Sequence, residues 1–176
     1  MVTTIAGDGT EGYLDATGTK AQFHNPSGVA VDSSGNLYVA DARNHRIRKI
    51  TSGGVVTTLA GTGTAGFANG AGITEAQFNR PTGVAVDLSG NLYVADTINN
   101  CIREISSTGK VTTFAGTGTS GKADTENHRI RKITPKREVT TLAGAQRCSL
   151  ATPKTWPWIQ TAISMWRIQL ATSYGR

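Results

Sequence analysis

The histidines are the first residues in this sequence that could carry acid–base or metal chemistry. His24, His45 and His128 are separated by the period of a repeat rather than by the spacing of metal ligands. His45 and His128 occupy equivalent positions, and Asn100 replaces them in the copy between. A metal or general-base role would require a carboxylate such as Asp41 to converge on them. The sequence therefore predicts solvated strand side chains here, with no catalytic residue, no metal site and no cofactor.

Three glycine-rich segments match the G-x-G-x-x-G fingerprint of dinucleotide-binding proteins, at residues 7–12, 61–66 and 116–121. That fingerprint binds pyrophosphate only where a helix begins at the loop and presents its N-terminus. Here a loop bounded by glycine and proline follows instead, and three copies exceed what one cofactor needs. The segments predict turns between repeated units.

One repeated strand carries basic side chains that could bind phosphate groups. Stacked copies would align them in a stripe able to contact RNA. Aromatic side chains do not alternate with them, which weakens the interpretation as a single-stranded RNA site. Pairing of the arginines with Asp side chains of neighbouring units explains the same residues. The candidate binding residues are Arg46, Arg48, Lys49, Arg103, Arg129, Arg131 and Lys132.

The composition sets few limits on function. A net charge of +6 over 176 residues is compatible with nucleic-acid binding, but basic residues spread over a repeated surface strand produce it equally well. Cys101 and Cys148 lie in unlike contexts and predict neither a disulfide framework nor a zinc site. No apolar run is long enough to span a membrane. The uncharged opening strand predicts no signal peptide, and the compartment stays open.

The elements that would position these residues come from a repeat. Residues 25–41 return almost letter for letter at 80–96, about 55 residues later. Each copy contains two apolar runs joined by a Ser-Gly-Asn turn, which predicts two strands of a hairpin. A basic strand follows, and then a β-branched segment. One unit is thus four strands, predicted at about 28–32, 36–41, 45–50 and 55–60, and again at about 83–87, 91–96, 100–105 and 110–115.

The β-branched segment also occurs outside the two full units. Residues 2–7 contain Val-Thr-Thr-Ile-Ala-Gly and are predicted to form a leading strand. The same pattern returns at 56–61, 111–116 and 139–144.

The repeated letters resemble the NHL repeat family over roughly residues 1–144. They are Pro-x-Gly-Val-Ala-Val-Asp, Gly-Asn-Leu-Tyr-Val-Ala-Asp and Asn-His-Arg-Ile-Arg-Lys-Ile. The resemblance implies an all-β fold, a β-propeller of usually six blades, each a four-stranded antiparallel sheet. It also implies a ring-shaped scaffold that binds protein, RNA or other ligands on its faces. Some propellers of the family are lyases with a metal at the ring centre, and no matching ligand set is visible in this sequence.

The third unit departs from the repeat. Residues 127–133 copy residues 44–50, yet roughly 27 residues are missing before them, which correspond to the Phe-x-x-Pro segment and both inner strands. We therefore predict a partial, open propeller over 1–144. It contains full blades at about 28–60 and 83–115 and a half-blade at about 127–143.

Residues 145–176 form a non-repeat tail that contains all three tryptophans. One interpretation is an irregular segment or a short amphipathic helix over about 157–171. The other comes from the genetic code. Read one register over, the codons of Trp156-Pro157, Trp158-Ile159 and Met165-Trp166 encode alanine, aspartate and valine, at the spacing found at 30, 32 and 39. Residues from about 146 onward would then be an out-of-frame translation of another blade, which sequencing of the coding DNA would decide.

The function that these residues favour is a non-catalytic interaction scaffold, part of a larger NHL-type propeller protein that binds a protein partner. The prediction includes the case in which the fragment has no function of its own. The alternatives are RNA binding through the basic third strands and the remnant of a lyase- or hydrolase-like propeller enzyme. Open blade edges also predict low stability and self-association.

Overall fold

The computed structural model describes residues 1–117, 129–134 and 136–144. Its first sheet, blade 1, consists of β1 (Pro26–Val31), β2 (Leu37–Asp41), β3 (Arg46–Ile50) and β4 (Val56–Ala60). Each strand pairs antiparallel with the next one along the chain, in the order β1-β2-β3-β4. The four strands lie close to their predicted positions.

The second sheet, blade 2, repeats this arrangement and adds one short strand. Its strands are β5 (Gly70–Ala71), β6 (Pro81–Val86), β7 (Leu92–Asp96), β8 (Cys101–Ile105) and β9 (Lys110–Ala115). The sheet order is β5-β9-β8-β7-β6, so the two-residue β5 pairs with the outermost strand. The repeat pattern does not predict β5, because the loop that contains it differs between the two units.

The turn between the inner two strands explains why the Ser-Gly-Asn segment recurs. Gly35 adopts a φ of 79°, which favours glycine, and its N–H donates to the Asp32 carbonyl at 3.0 Å. The Asp32 carboxylate accepts the N–H groups of Ser34 and Asn36, each at 2.9 Å. The carboxylate thus closes the turn by accepting its backbone amides, and the recurring Asp and Gly keep the same turn in both units.

A third, two-stranded sheet follows blade 2. It pairs β10 (Arg129–Ile133) with β11 (Val139–Gly144). The sequence predicts these strands as the outer pair of an incomplete blade, and in the described residues no further strand pairs with either of them. We call this pair the half-blade. Its predicted first residues at 127–128 and the predicted tail at 145–176 lie outside the described residues.

The predicted leading strand at residues 2–7 is wrong. These residues form no strand, although their letters match those of β4 and β9. In the blades the equivalent segment pairs with the basic third strand. In the described residues, no such third strand lies beside residues 2–7. Instead Gly7 turns at a φ of 101° and donates its N–H to Gly18, which ties the segment to the following loop.

The two blades pack face to face through an apolar core. Tyr38 and Ile47 of blade 1 contact a cluster that includes Leu92 and Val94 of blade 2, and all four are buried. Phe78, from the loop before β6, is fully buried in the same cluster. A smaller cluster lies on the other side of blade 1, under the loop that precedes β1. Each blade is thus covered on one side by the loop that precedes it in the sequence.

Helical structure in the described ranges is short. It consists of 3₁₀ turns at Gly18–Lys20 and Ala42–Asn44. None of the helices there is long and apolar enough to cross a membrane.

Candidate functional site

Two of the predicted phosphate-binding arginines lie inside the protein. Arg48 and Arg103, on β3 and β8, are both 0% exposed. The prediction that the third strand presents its basic side chains on an exposed stripe is therefore wrong for these two residues. The physical reason is that the loop preceding each blade folds over the face on which its arginine stands and hydrogen-bonds the guanidinium.

Arg48 holds the preceding loop onto its own blade. Its Nη1 lies 2.8 Å from Asp41 Oδ2, and its Nη2 lies 2.6 Å from Asp15 Oδ1. The same guanidinium donates to the carbonyls of Leu14 and Gln22, each at 3.0 Å. Five hydrogen bonds satisfy this buried cation, because bidentate and charge-assisted contacts offset its loss of water.

Arg103 repeats the arrangement in blade 2, with one carboxylate fewer. Its Nη1 lies 2.9 Å from Asp96 Oδ2. Asn69 takes the place of the second carboxylate and accepts from Nη2 at 2.7 Å. The Nε of Arg103 has no hydrogen-bond partner. The predicted pairing of arginine with aspartate is thus present, but it joins strands of one blade rather than neighbouring blades.

The aspartate of each pair also organises the start of its unit. Asp41 accepts the N–H of His24 at 2.7 Å and the side-chain amide of Asn44 at 2.8 Å. Asp96 accepts the equivalent bonds from Asn79 and Asn99 at the same distances. Each of these carboxylates therefore links the loop before its blade, the end of the second strand and the buried arginine.

The other predicted basic residues differ in position. The Arg46 guanidinium stacks 3.7 Å from the centroid of the Tyr13 ring and donates to the Thr62 carbonyl at 2.7 Å. The Lys49 ammonium lies 5.8 Å from the centroid of Tyr38. Both are partly exposed. Arg129, Arg131 and Lys132 stand on β10, and their side chains lie outside the described residues.

The histidines take part in local contacts. His24 Nε2 lies 3.2 Å from a carboxylate oxygen of Glu11. His45 Nδ1 accepts the N–H of Arg80 at 3.1 Å, and burial, with help from nearby arginines, lowers the pKa of this imidazole. Among residues 1–117, 129–134 and 136–144, no three His, Cys, Asp or Glu side chains group closely enough to hold a metal ion. His128 lies outside the described residues.

The candidate site is a cleft of about 790 Å³ against blade 2. Its floor is the side of blade 2 that faces away from blade 1, which we call the open face. The turn of the half-blade, with Arg137, lines the cleft as well. The open face consists of Gly83, Ala85, Tyr93, Ala95, Ile102 and Phe114.

Aromatic contacts organise this floor. Tyr93 and Phe114 meet edge to face, with ring centroids 4.9 Å apart. Arg137 lies over the Phe114 ring at 5.5 Å and donates to Glu104 at 3.0 Å. The cleft therefore combines an apolar floor with a charged rim.

The open face is equivalent to the side of blade 1 that blade 2 covers. Tyr38 and Ile47 are buried there, whereas their counterparts Tyr93 and Ile102 are only partly buried. Sequence reasoning anticipates unburied blade faces from the missing inner strands, but it does not single out these residues. The signal that identifies them is their identity with Tyr38 and Ile47 in the preceding repeat.

The family comparison matches the two blades. The model of the NHL repeat matches residues 23–50 and 78–105. Each match runs from the phenylalanine before the innermost strand to the end of the third strand.

Curated relatives share the repeat over about half of this chain. Protein SUPPRESSOR OF QUENCHING 1, chloroplastic, of Arabidopsis thaliana is 41% identical over 95 residues, which are 53% of this chain and 9% of that protein. NHL repeat-containing protein 2 of Homo sapiens is also 41% identical over 95 residues, 52% of this chain and 13% of that protein. The chain thus spans only a small part of the relatives that it matches.

Solved propeller structures share the fold. Virginiamycin B lyase from Staphylococcus aureus superposes with a TM-score of 0.51 over 73% of this chain and 43% of that chain, at 14% identity. At this identity the likeness concerns the fold alone. The matched repeats and their four-stranded sheets show that the chain contains two NHL repeats, each built as a blade, and that these blades form an open part of a β-propeller.

Proposed function

We propose that this chain is a non-catalytic interaction scaffold that binds a polypeptide at the open face of blade 2. The observation that carries the proposal is the apolar cleft floored by Tyr93, Ile102 and Phe114, at a position where blade 1 buries Tyr38 and Ile47, the equivalents of Tyr93 and Ile102. Burying partly exposed apolar surface is the main driving force for protein association.

The polar groups support a scaffold rather than an enzyme. Asp32, Asp41, Asp87 and Asp96 accept hydrogen bonds from their own turns and loops. Arg48 and Arg103 are engaged with two of these carboxylates. Side chains that are occupied in this way stabilise the blades and are poorly placed to act on a substrate.

A displayed library of short random peptides tests the proposal. The full chain is immobilised, and each selected peptide is then measured against a Phe114→Glu variant. We expect binding to fall by about tenfold or more, because the glutamate places a charge on the apolar floor. The control is Leu88→Glu, since Leu88 is fully exposed on the turn between β6 and β7.

Two results would count against the proposal. One is that no selected peptide distinguishes Phe114→Glu from Leu88→Glu. The other is that the chain binds single-stranded RNA oligonucleotides with an affinity that falls steeply with salt, while no peptide binds. The second result would favour the RNA alternative.

A further inference from the structure

The first observation concerns the pairing of β10. In both full blades the third strand lies between two neighbours: β3 pairs with β2 and β4, and β8 pairs with β7 and β9. β10 pairs with β11, and within the described ranges no strand occupies its other side. That side has a row of backbone donors and acceptors able to add a strand.

The second observation is a glycine that leaves room for a strand. A methyl group at Gly28 would lie 2.5 Å from the Thr82 carbonyl oxygen and 2.9 Å from the Gly83 Cα, because β6 passes directly against β1. Gly83 is the equivalent residue in blade 2. A methyl group there would meet nothing closer than the Ala95 Cβ at 3.5 Å. Blade 2 thus has the close-approach glycine, while the described part of the chain contains no strand that approaches it.

The third observation is the register of charge. In blade 1, Arg48 on the third strand pairs with Asp41 at the end of the second strand, and Arg103 pairs with Asp96 in the same way. Arg131 on β10 stands at the equivalent register position. An inner strand added to β10 in the register of the full blades would bring its last residue to the same place.

We propose that β10 and the open face of blade 2 form an acceptor site for a β-hairpin supplied by a second polypeptide. The hairpin has the chemistry of this chain's own inner strands: a glycine near the start of its first strand, apolar residues along both strands, and an aspartate at the end of the second. This inference rests on the proposed function, since it names the kind of polypeptide that the open face binds. Three kinds of contact would hold the hairpin: backbone hydrogen bonds to β10, apolar burial against the open face, and one ion pair.

The probe is a synthetic peptide with the sequence of residues 76–96, which contains Phe78, both inner strands and the terminal aspartate. It is titrated into the full chain by calorimetry. We expect saturable binding of one peptide per chain. A scrambled peptide of the same composition should not bind.

Two single changes test the geometry. Gly83→Ala in the chain adds a methyl group where the hairpin backbone must pass, so we expect binding about tenfold weaker or worse with an unchanged melting temperature. Asp96→Asn in the peptide removes the carboxylate that would pair with Arg131, and we expect binding about 100-fold weaker. Ser89→Ala, on the exposed turn of blade 2, is the matched control in the chain and should leave binding unchanged.

The outcomes separate this inference from the proposed function. If library peptides bind in a Phe114-dependent way but the 76–96 peptide does not bind, the hairpin inference fails and the scaffold proposal stands. Binding of the 76–96 peptide that ignores both Gly83→Ala and Asp96→Asn also overturns the inference. If neither the library nor this peptide yields binding, both proposals fail.

Discussion

The buried arginine–aspartate pairs are the residue-scale feature that most distinguishes the two blades. Arg48 pairs with two carboxylates, whereas Arg103 pairs with one and leaves its Nε without a partner. A buried cation that loses its last counter-ion costs far more free energy than one that keeps a second carboxylate.

Unfolding in urea should therefore separate two equivalent substitutions. We expect Asp96→Asn to lower the free energy of unfolding by about 3 kcal/mol, because Arg103 is left as an unpaired buried charge. Asp41→Asn should cost only about 1 kcal/mol, since Arg48 still pairs with Asp15 at 2.6 Å. Equal losses in the two variants would show that Asp15 does not compensate.

The turn aspartates make the stability of the folded protein depend on pH in the acid range. Chiefly through the hydrogen bond from the Asn36 side chain, the pKa of Asp32 falls from its ordinary value of 3.8 to about 2. A lowered pKa in the folded state stabilises the protein above the unfolded value and loses that contribution as the pH falls towards the folded value.

The melting temperature should accordingly fall between about pH 4 and pH 2, and less so in Asp32→Asn, which has no carboxylate to protonate there. Thermal unfolding followed by circular dichroism at a series of pH values in this window measures the difference. Parallel pH profiles for the two proteins would contradict the assignment to Asp32.

The pairing partners of the charged side chains were easier to predict from the sequence than the burial of those side chains. Pairing of the third-strand arginines with aspartate was predicted, and the structure contains it in both blades, although within each blade rather than between neighbours. Arg48 and Arg103 were predicted to lie in a basic stripe on a surface strand, yet both are buried. Their burial depends on Leu14, Gln22 and Ala68, whose carbonyls come from a loop with no periodic pattern.

At the element scale, whether a segment becomes a strand depends on its neighbour. Residues 56–60 and 110–115 are strands because a third strand lies beside each of them, while residues 2–7 share their letters and form none. Local β-propensity predicted all three equally. Whether such a segment forms a strand depends on a pairing partner. The repeat pattern does not predict that partner for a copy that stands outside a full unit.

The approach of β1 to β6 predicts unequal effects at two equivalent glycines. We expect Gly28→Ala to lower the free energy of unfolding by about 1–3 kcal/mol, because its methyl group would overlap the Thr82 carbonyl. Gly83→Ala should change stability by less than about 0.5 kcal/mol, since the space beside it is open. Chemical denaturation of both variants is the measurement, and a large loss at Gly83 would contradict the open face.

At the scale of the whole molecule, the blades expose surfaces that a closed ring would cover. Val29 and Val31 on β1 are 64% and 58% exposed, whereas their counterparts Val84 and Val86 pack against blade 1. Val84 and Val86 pack on blade 1 within the chain. The exposed valines of one copy can pack on the open face of another copy in the same manner. Such a head-to-tail contact can repeat between copies.

Sedimentation velocity over a range of protein concentrations should therefore show reversible self-association. A Val29→Lys/Val31→Lys variant should shift the association to about tenfold higher concentration, because two charges replace the apolar contact. Leu88→Lys adds a charge at a turn away from this surface and should behave like the unchanged protein. A protein that remains monomeric throughout would contradict the prediction.

Each buried arginine hydrogen-bonds the loop that precedes its blade. This limits where the coding sequence of one unit can be cut and joined to another. The contacts of Arg48 run back to Leu14, and those of Arg103 run back to Ala68, so each blade depends on residues that precede its innermost strand. A unit excised from Gly7 to Ala60 would contain every hydrogen-bond partner of Arg48, whereas one that begins at Pro26 would lose those in the loop and keep only Asp41. A loop together with the sheet that follows it is therefore the unit to duplicate. Adding such a unit lengthens the array and leaves no buried arginine without its hydrogen-bond partners.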